Sequence, residues 1–222
     1  MEKATAKKKT KILSKEDIKL KFMEYVQEYG KLPVSIFSFT KSLKAKESDF
    51  FDHFNSFGAV ERAIWKDWME EVVSTLENDK AYVSYSVREK MLAFFFTWLE
   101  VLKTNRSYVL MKWENLDKKE MNPDFLISLK ESFRHYVEDL LLEGKDTKEV
   151  ADRPFSNQYF KGFWIHFLFV THYWVSDDST DFEQTDAIIE KSIHFAFDLV
   201  GKGPLDSFLD LAKFLYQNNK VV

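Results

Sequence analysis

The chain has few side chains whose types and spacing could do chemistry. His166 and His172 are six residues apart, which puts them on different sides of one helix and not on a shared metal-binding face. His135 and His194 stand alone. Asp177, Asp178 and Asp181 carry the acid of a calcium loop, but the EF-hand spacing and its glycine are missing. They read as a solvated turn that caps the next helix. Cysteine is absent, which excludes a thiol nucleophile, a disulfide framework and a cysteine zinc site, and fits a reducing compartment. No P-loop, no GxGxxG and no HExxH occurs. Nothing argues for an enzyme, and no metal or cofactor is implied.

The elements that would position any site are helical. With 6 Gly and 4 Pro in 222 residues, the chain lacks the turn residues of a sandwich or barrel. Ser14 is set to cap a first helix with its face on Ile18, Phe22, Tyr25, Val26 and Tyr29, ended by Gly30. Short helices follow over about 34–42 and 47–54. Asn55 or Ser56 can cap a fourth, to about Glu77, with Val60, Ile64, Trp68 and Val72 inward. Val87 to Lys103 is apolar nearly all round and belongs in the centre of a body. Further helices are expected at Tyr108–Trp113, from Asn122-Pro123-Asp124 to Gly144, at Phe155–Val175, at Phe182–Val200 and at Leu205–Gln217. That makes about ten helices in an all-α chain with no repeat and no strand.

Charge is uneven. Residues 1–52 hold 12 Lys against 8 Asp and Glu, an excess of +4 in a chain of net −4. A basic head on an acidic body fits nucleic-acid binding. Lys3, Lys7, Lys8, Lys9 and Lys11 account for that excess, so a solubilising arm explains it equally well. No leader is legible in the lysine-rich first residues, and the most apolar run, Phe163 to Val175, is shorter than the roughly 20 residues that span a bilayer. A cytoplasmic location with no transmembrane segment is expected. The 22 Phe and 6 Trp suit either a bulky core or the wall of an apolar cavity.

Gly30 closing the first helix, Ser35-Ile36 in the second, Phe50-Phe51-Asp52-His53-Phe54 closing the third and Asn55 to Ile64 entering the fourth resemble the head of TetR-family regulators. The stretch TDFEQTDAIIEKSIHFAFDLVGKGPL is similar to late helices of one branch of that family. The resemblance spans essentially the whole chain. It implies a TetR-like fold: a basic arm at 1–13, a helix-turn-helix head at 14–57, and a ligand-binding and dimerisation body at 58–222, with helix 58–77 joining them. It implies a homodimer reading an operator through the third helix. Lys41, Ser42, Lys44, Lys46, Ser48 and His53 are then the candidate DNA contacts. It also implies a dimer interface on the last two long helices, with Phe163, Phe167, Val170, Trp174, Ile189, Ile193 and Phe197 the candidate residues. An apolar small molecule or lipid is expected near Phe94, Trp98, Trp113, Phe133 and Phe167.

The head departs from the family pattern. Lys44 stands at the usual turn glycine, and Phe51 stands where a phosphate-binding tyrosine is usual. Glu47, Asp49 and Asp52 would repel phosphates, although acids in a first turn also favour the helix dipole. No Arg precedes Arg62. These departures leave a second reading, a TetR-fold protein without DNA binding that holds a lipid or other apolar ligand.

Overall fold

The computed structural model describes residues 12–114, 116, 120–153, 158–201, 203, 211, 213–215 and 217. Most of the expected arm, residues 155–157 and most of the expected last helix lie outside these. Among the described residues all regular structure is helical: α1 (Lys15–Tyr29), α2 (Ile36–Ser42), α3 (Glu47–Phe51), α4 (Phe57–Asn78), α5 (Val87–Thr104), α6 (Arg106–Glu114), α7 (Ile127–Asp146), α8 (Tyr159–Val175) and α9 (Glu183–Val200). Residues 211, 213–215 and 217 are helical as well.

The ends of α1 follow from local chemistry. Ser14 Oγ accepts from the Asp17 backbone N–H at 3.1 Å, and the Asp17 carboxylate accepts from the Ser14 N–H at 3.2 Å. Gly30 ends the helix with φ 64°, its N–H bonded to the Val26 carbonyl. Ser56 caps α4 by accepting from the Ala59 N–H at 3.1 Å. Gly144 does not stop α7, which runs on to Asp146. It instead lets Val150 approach, since a Cβ there would meet a Val150 methyl at 2.5 Å.

The chain forms two compact units, 1–67 with 105–129, and 68–104 with 130–222. The first has an aromatic centre. Phe39 and Phe50 are fully buried, and Phe57 sits 5.5–5.6 Å from Phe22, Phe39 and Phe50. A second cluster in this unit sets Trp65 against Trp113 and Phe125 at 5.4 and 5.1 Å. In the other unit, α9 packs on α5 and α8. Its centre is Phe94, Phe95, Trp98, Phe133 and Phe167, all fully buried. Burying one such ring stabilises by roughly 1.5–3 kcal/mol, so the phenylalanine content goes first into packing. The buried Trp98 indole N–H donates to Thr171 Oγ1 at 3.1 Å, which satisfies its polar atom.

Candidate functional site

α2 and α3 are two short helices joined by a tight turn. α2 is capped by Ser35, whose hydroxyl accepts from the Ser38 N–H at 3.1 Å. The turn closes through Lys44, which is left-handed with φ 58°. α3 then begins at Glu47 and lasts five residues. Phe50 is its buried anchor, in edge contact with Phe39 at 6.3 Å.

Lys41, Ser42, Lys44, Lys46, Ser48 and His53 are all exposed; the first five lie in the turn and its two flanking helices, and His53 lies two residues past the end of α3. They are not equally available. Ser42 Oγ donates to the Phe39 carbonyl at 2.6 Å, and Lys41 lies over the Phe37 ring at 5.8 Å. His53 Nε2 donates to the Leu13 carbonyl at 3.0 Å, tying the end of the head to the chain before α1. Phe51 is 49% exposed and offers a ring where a hydroxyl was expected. Glu47 and Ser48 are exposed and Asp49 is half-buried; the Asp49 carboxylate accepts from the Lys46 N–H at 3.2 Å, which is the bland role for a first-turn acid.

The five residues expected around an apolar ligand divide between the units. Trp113 belongs to the first. Phe94, Trp98, Phe133 and Phe167 meet in the second, with Phe167 4.9 Å from Phe133 and 5.1 Å from Trp98. Here the rings fill one another's space and form packed core.

The residues expected at a dimer interface lie on the inward faces of α8 and α9. Phe163, Phe167, Val170, Trp174, Ile189, Ile193 and Phe197 are buried within the protomer. They hold α8 and α9 to the rest of their unit, as Phe163 on Phe197 at 5.9 Å illustrates. The opposite face carries Ile165, Phe169, Phe195 and Leu199, each between 44% and 64% exposed. These flank a groove of about 600 Å³ that also takes in Gly162, His166, Ser192 and Ala196. The resemblance that placed these residues at an interface carries no information on which face of each helix is covered within one protomer. The signal for the other face was Lys161-Gly162, from which Ile165 and Phe169 follow at helical spacing.

A smaller cavity of about 410 Å³ lies among α4, α5, α8 and the start of α9. Its walls include Phe96, Leu99, Trp174 and Phe182, and its polar groups include Glu100, Lys103, Asp181 and Asp186. The acidic turn that sequence reasoning left as solvated builds one side. Asp181 and Phe182 are both left-handed, with φ 51° and 62°, and Phe182 stands 5.6 Å from Trp174. Asp177 is buried and holds this turn through Ser179 and Thr185. Nothing in periodicity predicts such a turn.

Among the described residues no helix is long and apolar enough to cross a membrane, and no group of three His, Cys, Asp or Glu could hold a metal ion. Comparison with curated proteins and with solved structures gives no match. Residues 90–215, more than half of the chain, match the family model described as "Tetracyclin repressor-like, C-terminal domain". With this match over α5 to α9 and an all-helical architecture, the chain belongs to the TetR family.

Proposed function

We propose that the chain is a cytoplasmic TetR-family transcriptional regulator that binds DNA as a homodimer and responds to a small molecule with an apolar body. The observation that carries this reading is the α2–turn–α3 unit, with Lys44 in the glycine-type conformation, in a chain whose later part matches the family. Lys41, Lys44 and Lys46 supply cations around that turn, and Ser42, Ser48 and His53 supply polar groups for backbone contacts. The dimer forms through the outer face of α8 and α9. What supports this is that Phe169 and Phe195 are exposed on that face beside a groove lined by Gly162, Ser192 and Ala196. A two-fold pair places each subunit's projections in the other's groove.

One observation favours the second reading, a TetR-fold protein that binds a lipid or other apolar ligand without DNA. α3 has only five residues, and Glu47, Asp49 and Asp52 lie on it or at its end. The deciding experiment titrates the purified protein with duplex DNA from upstream of its own gene, across a salt series. Under the first reading, sequence-specific binding weakens steeply with salt, by roughly one unit of log–log slope per phosphate contact. Joint replacement of Lys41, Lys44 and Lys46 then abolishes it. Absence of affinity even at low salt rejects that reading and leaves the second.

A further inference from the structure

The cavity of about 410 Å³ joins two features that suit one kind of ligand. Its volume falls in the usual range for small-molecule sites, roughly 300–1,000 Å³. Phe96, Leu99, Trp174 and Phe182 give it an apolar and largely aromatic wall, with Trp174 and Leu99 drawn from the core. Glu100, Asp181 and Asp186 bring three exposed carboxylates to the same space, against one lining cation, Lys103.

Lys103 shows what the wall accepts. Its ammonium lies 6.0 Å from the centre of the Phe182 ring, within the range of a cation held on an aromatic face. One lysine does not balance the carboxylates. The Asp186 carboxyl is held above its ordinary range, first by partial loss of its water on the cavity side and then by the negative charges of Glu190, Asp177 and Glu100, while Lys103 opposes the shift. A metal ion does not answer this surplus, because no such grouping is present among the described residues. The aromatic wall also offers a metal ion nothing.

We propose that this cavity binds an organic cation with an apolar or aromatic body, its ammonium between Glu100 and Asp186 and its body against Phe96, Leu99 and Trp174. The inference rests on reading the body as ligand-binding, and it names the site and the chemical class. Phe182 closes the site from the turn that Asp177 holds in place, and Lys103 competes with the ligand for its ring.

The test compares benzyltrimethylammonium with neopentylbenzene, its neutral isostere, by titration calorimetry on the full chain. The cation is expected to bind at least about tenfold more tightly. The double variant Glu100→Gln, Asp186→Asn is expected to lose about tenfold for the cation and nothing for the neutral compound. Lys103→Met, which removes the competing charge, is expected to tighten cation binding by about threefold. Equal binding of the two compounds overturns the cationic assignment while leaving a ligand-binding body intact. Binding of neither, or cation binding indifferent to all of these substitutions, overturns the site itself. Cation binding that leaves the DNA titration unchanged supports the site and removes the ligand-responsive part of the proposed function.

Discussion

Thr185 binds one carboxylate oxygen of Asp177 twice, through its backbone N–H at 2.9 Å and its hydroxyl at 2.5 Å. The other oxygen accepts from the Ser179 N–H at 2.9 Å. Asp177 is only 6% exposed, and burial works to raise its carboxyl. The hydrogen bonds from Ser179 and Thr185 outweigh that and hold it down to about 2, below the ordinary 3.8. The charged form is therefore the one the fold selects. Its stabilisation is present above pH ~4 and is lost as the pH falls from there through about 2.

Asp177→Asn keeps the shape but turns part of the acceptor into a donor facing other donors. We expect a loss of about 2 kcal/mol at pH 7, read by urea denaturation. Because protonation removes the wild-type group's advantage in acid, the difference between the two proteins should shrink as the pH falls from ~4 through about 2.

His166 works in the opposite chemical sense. The Ser192 hydroxyl donates to the Ile188 carbonyl at 2.5 Å, so its oxygen is left to accept from His166 Nε2–H at 2.7 Å. That fixes the proton on Nε2 and leaves Nδ1 buried without a partner. Burial pushes the imidazole down from 6.5 to about 4. The unfolded chain takes up a proton in this window and the folded one does not. Stability is therefore complete above pH ~6.5 and declines as the pH falls toward 4. His166→Gln should flatten this limb by about 2 kcal/mol. An unchanged slope between pH 6.5 and 4 would falsify the assignment.

Glu61 on α4 and Lys112 on α6 form an ion pair at 2.7 Å with side chains 10% and 20% exposed. Lys112 also lies 5.2 Å over the Phe125 ring. Lys112→Met strands a buried carboxylate and should cost about 3 kcal/mol in thermal or denaturant unfolding. Adding Glu61→Gln removes the stranded charge and should restore at least half of that loss. A double variant no better than the single one would show that the cost lies in packing around Phe125.

The helix ends were legible because they depend on neighbours in sequence: Ser14, Gly30 and Ser56 act within four residues of themselves. The outward face of α8 is hard to read from sequence, since a helix apolar on nearly every side gives no phase; only Lys161 and Gly162 mark it. The Asp177 turn was read as a cap for the following helix, which its bonds to Thr185 realise. Its burial, and the left-handed Asp181 and Phe182 that complete a cavity wall, depend on contacts distant in sequence. Of the residues expected around a ligand, Phe94, Trp98, Phe133 and Phe167 meet in one cluster and Trp113 lies in the other unit; ring content in a sequence does not distinguish rings packed on one another from rings around a void.

Lys44 offers a test with two readouts of opposite sign. Its φ of 58° is the region where glycine is at ease and a side chain is strained. Lys44→Gly should raise stability by about 0.5–1 kcal/mol, since the backbone relaxes without losing a buried contact. If the head binds DNA as proposed, the same substitution lowers affinity and reduces the log–log salt slope by about one. A gain in stability with an unaltered slope would place Lys44 outside the DNA interface.

The exposed face of α8 and α9 carries the last prediction. Phe169 and Phe195 are 48% and 64% exposed on helices whose other sides are core. Phe169→Glu and Phe195→Glu each put a charge where two copies would exclude water, a cost of several kcal/mol per buried ion. Phe195 is the more exposed of the two, while Phe169 also meets the Tyr173 ring at 6.4 Å, so Phe195→Glu is the cleaner probe. Each should shift sedimentation from dimer to monomer at micromolar concentration while leaving the unfolding of the monomer within about 0.5 kcal/mol. Leu142→Glu, at a position 63% exposed on α7, serves as the control and should remain dimeric. A wild-type chain that sediments as a monomer at the outset would sink the assignment, and would leave the groove beside Gly162 as an apolar site for something other than a second copy.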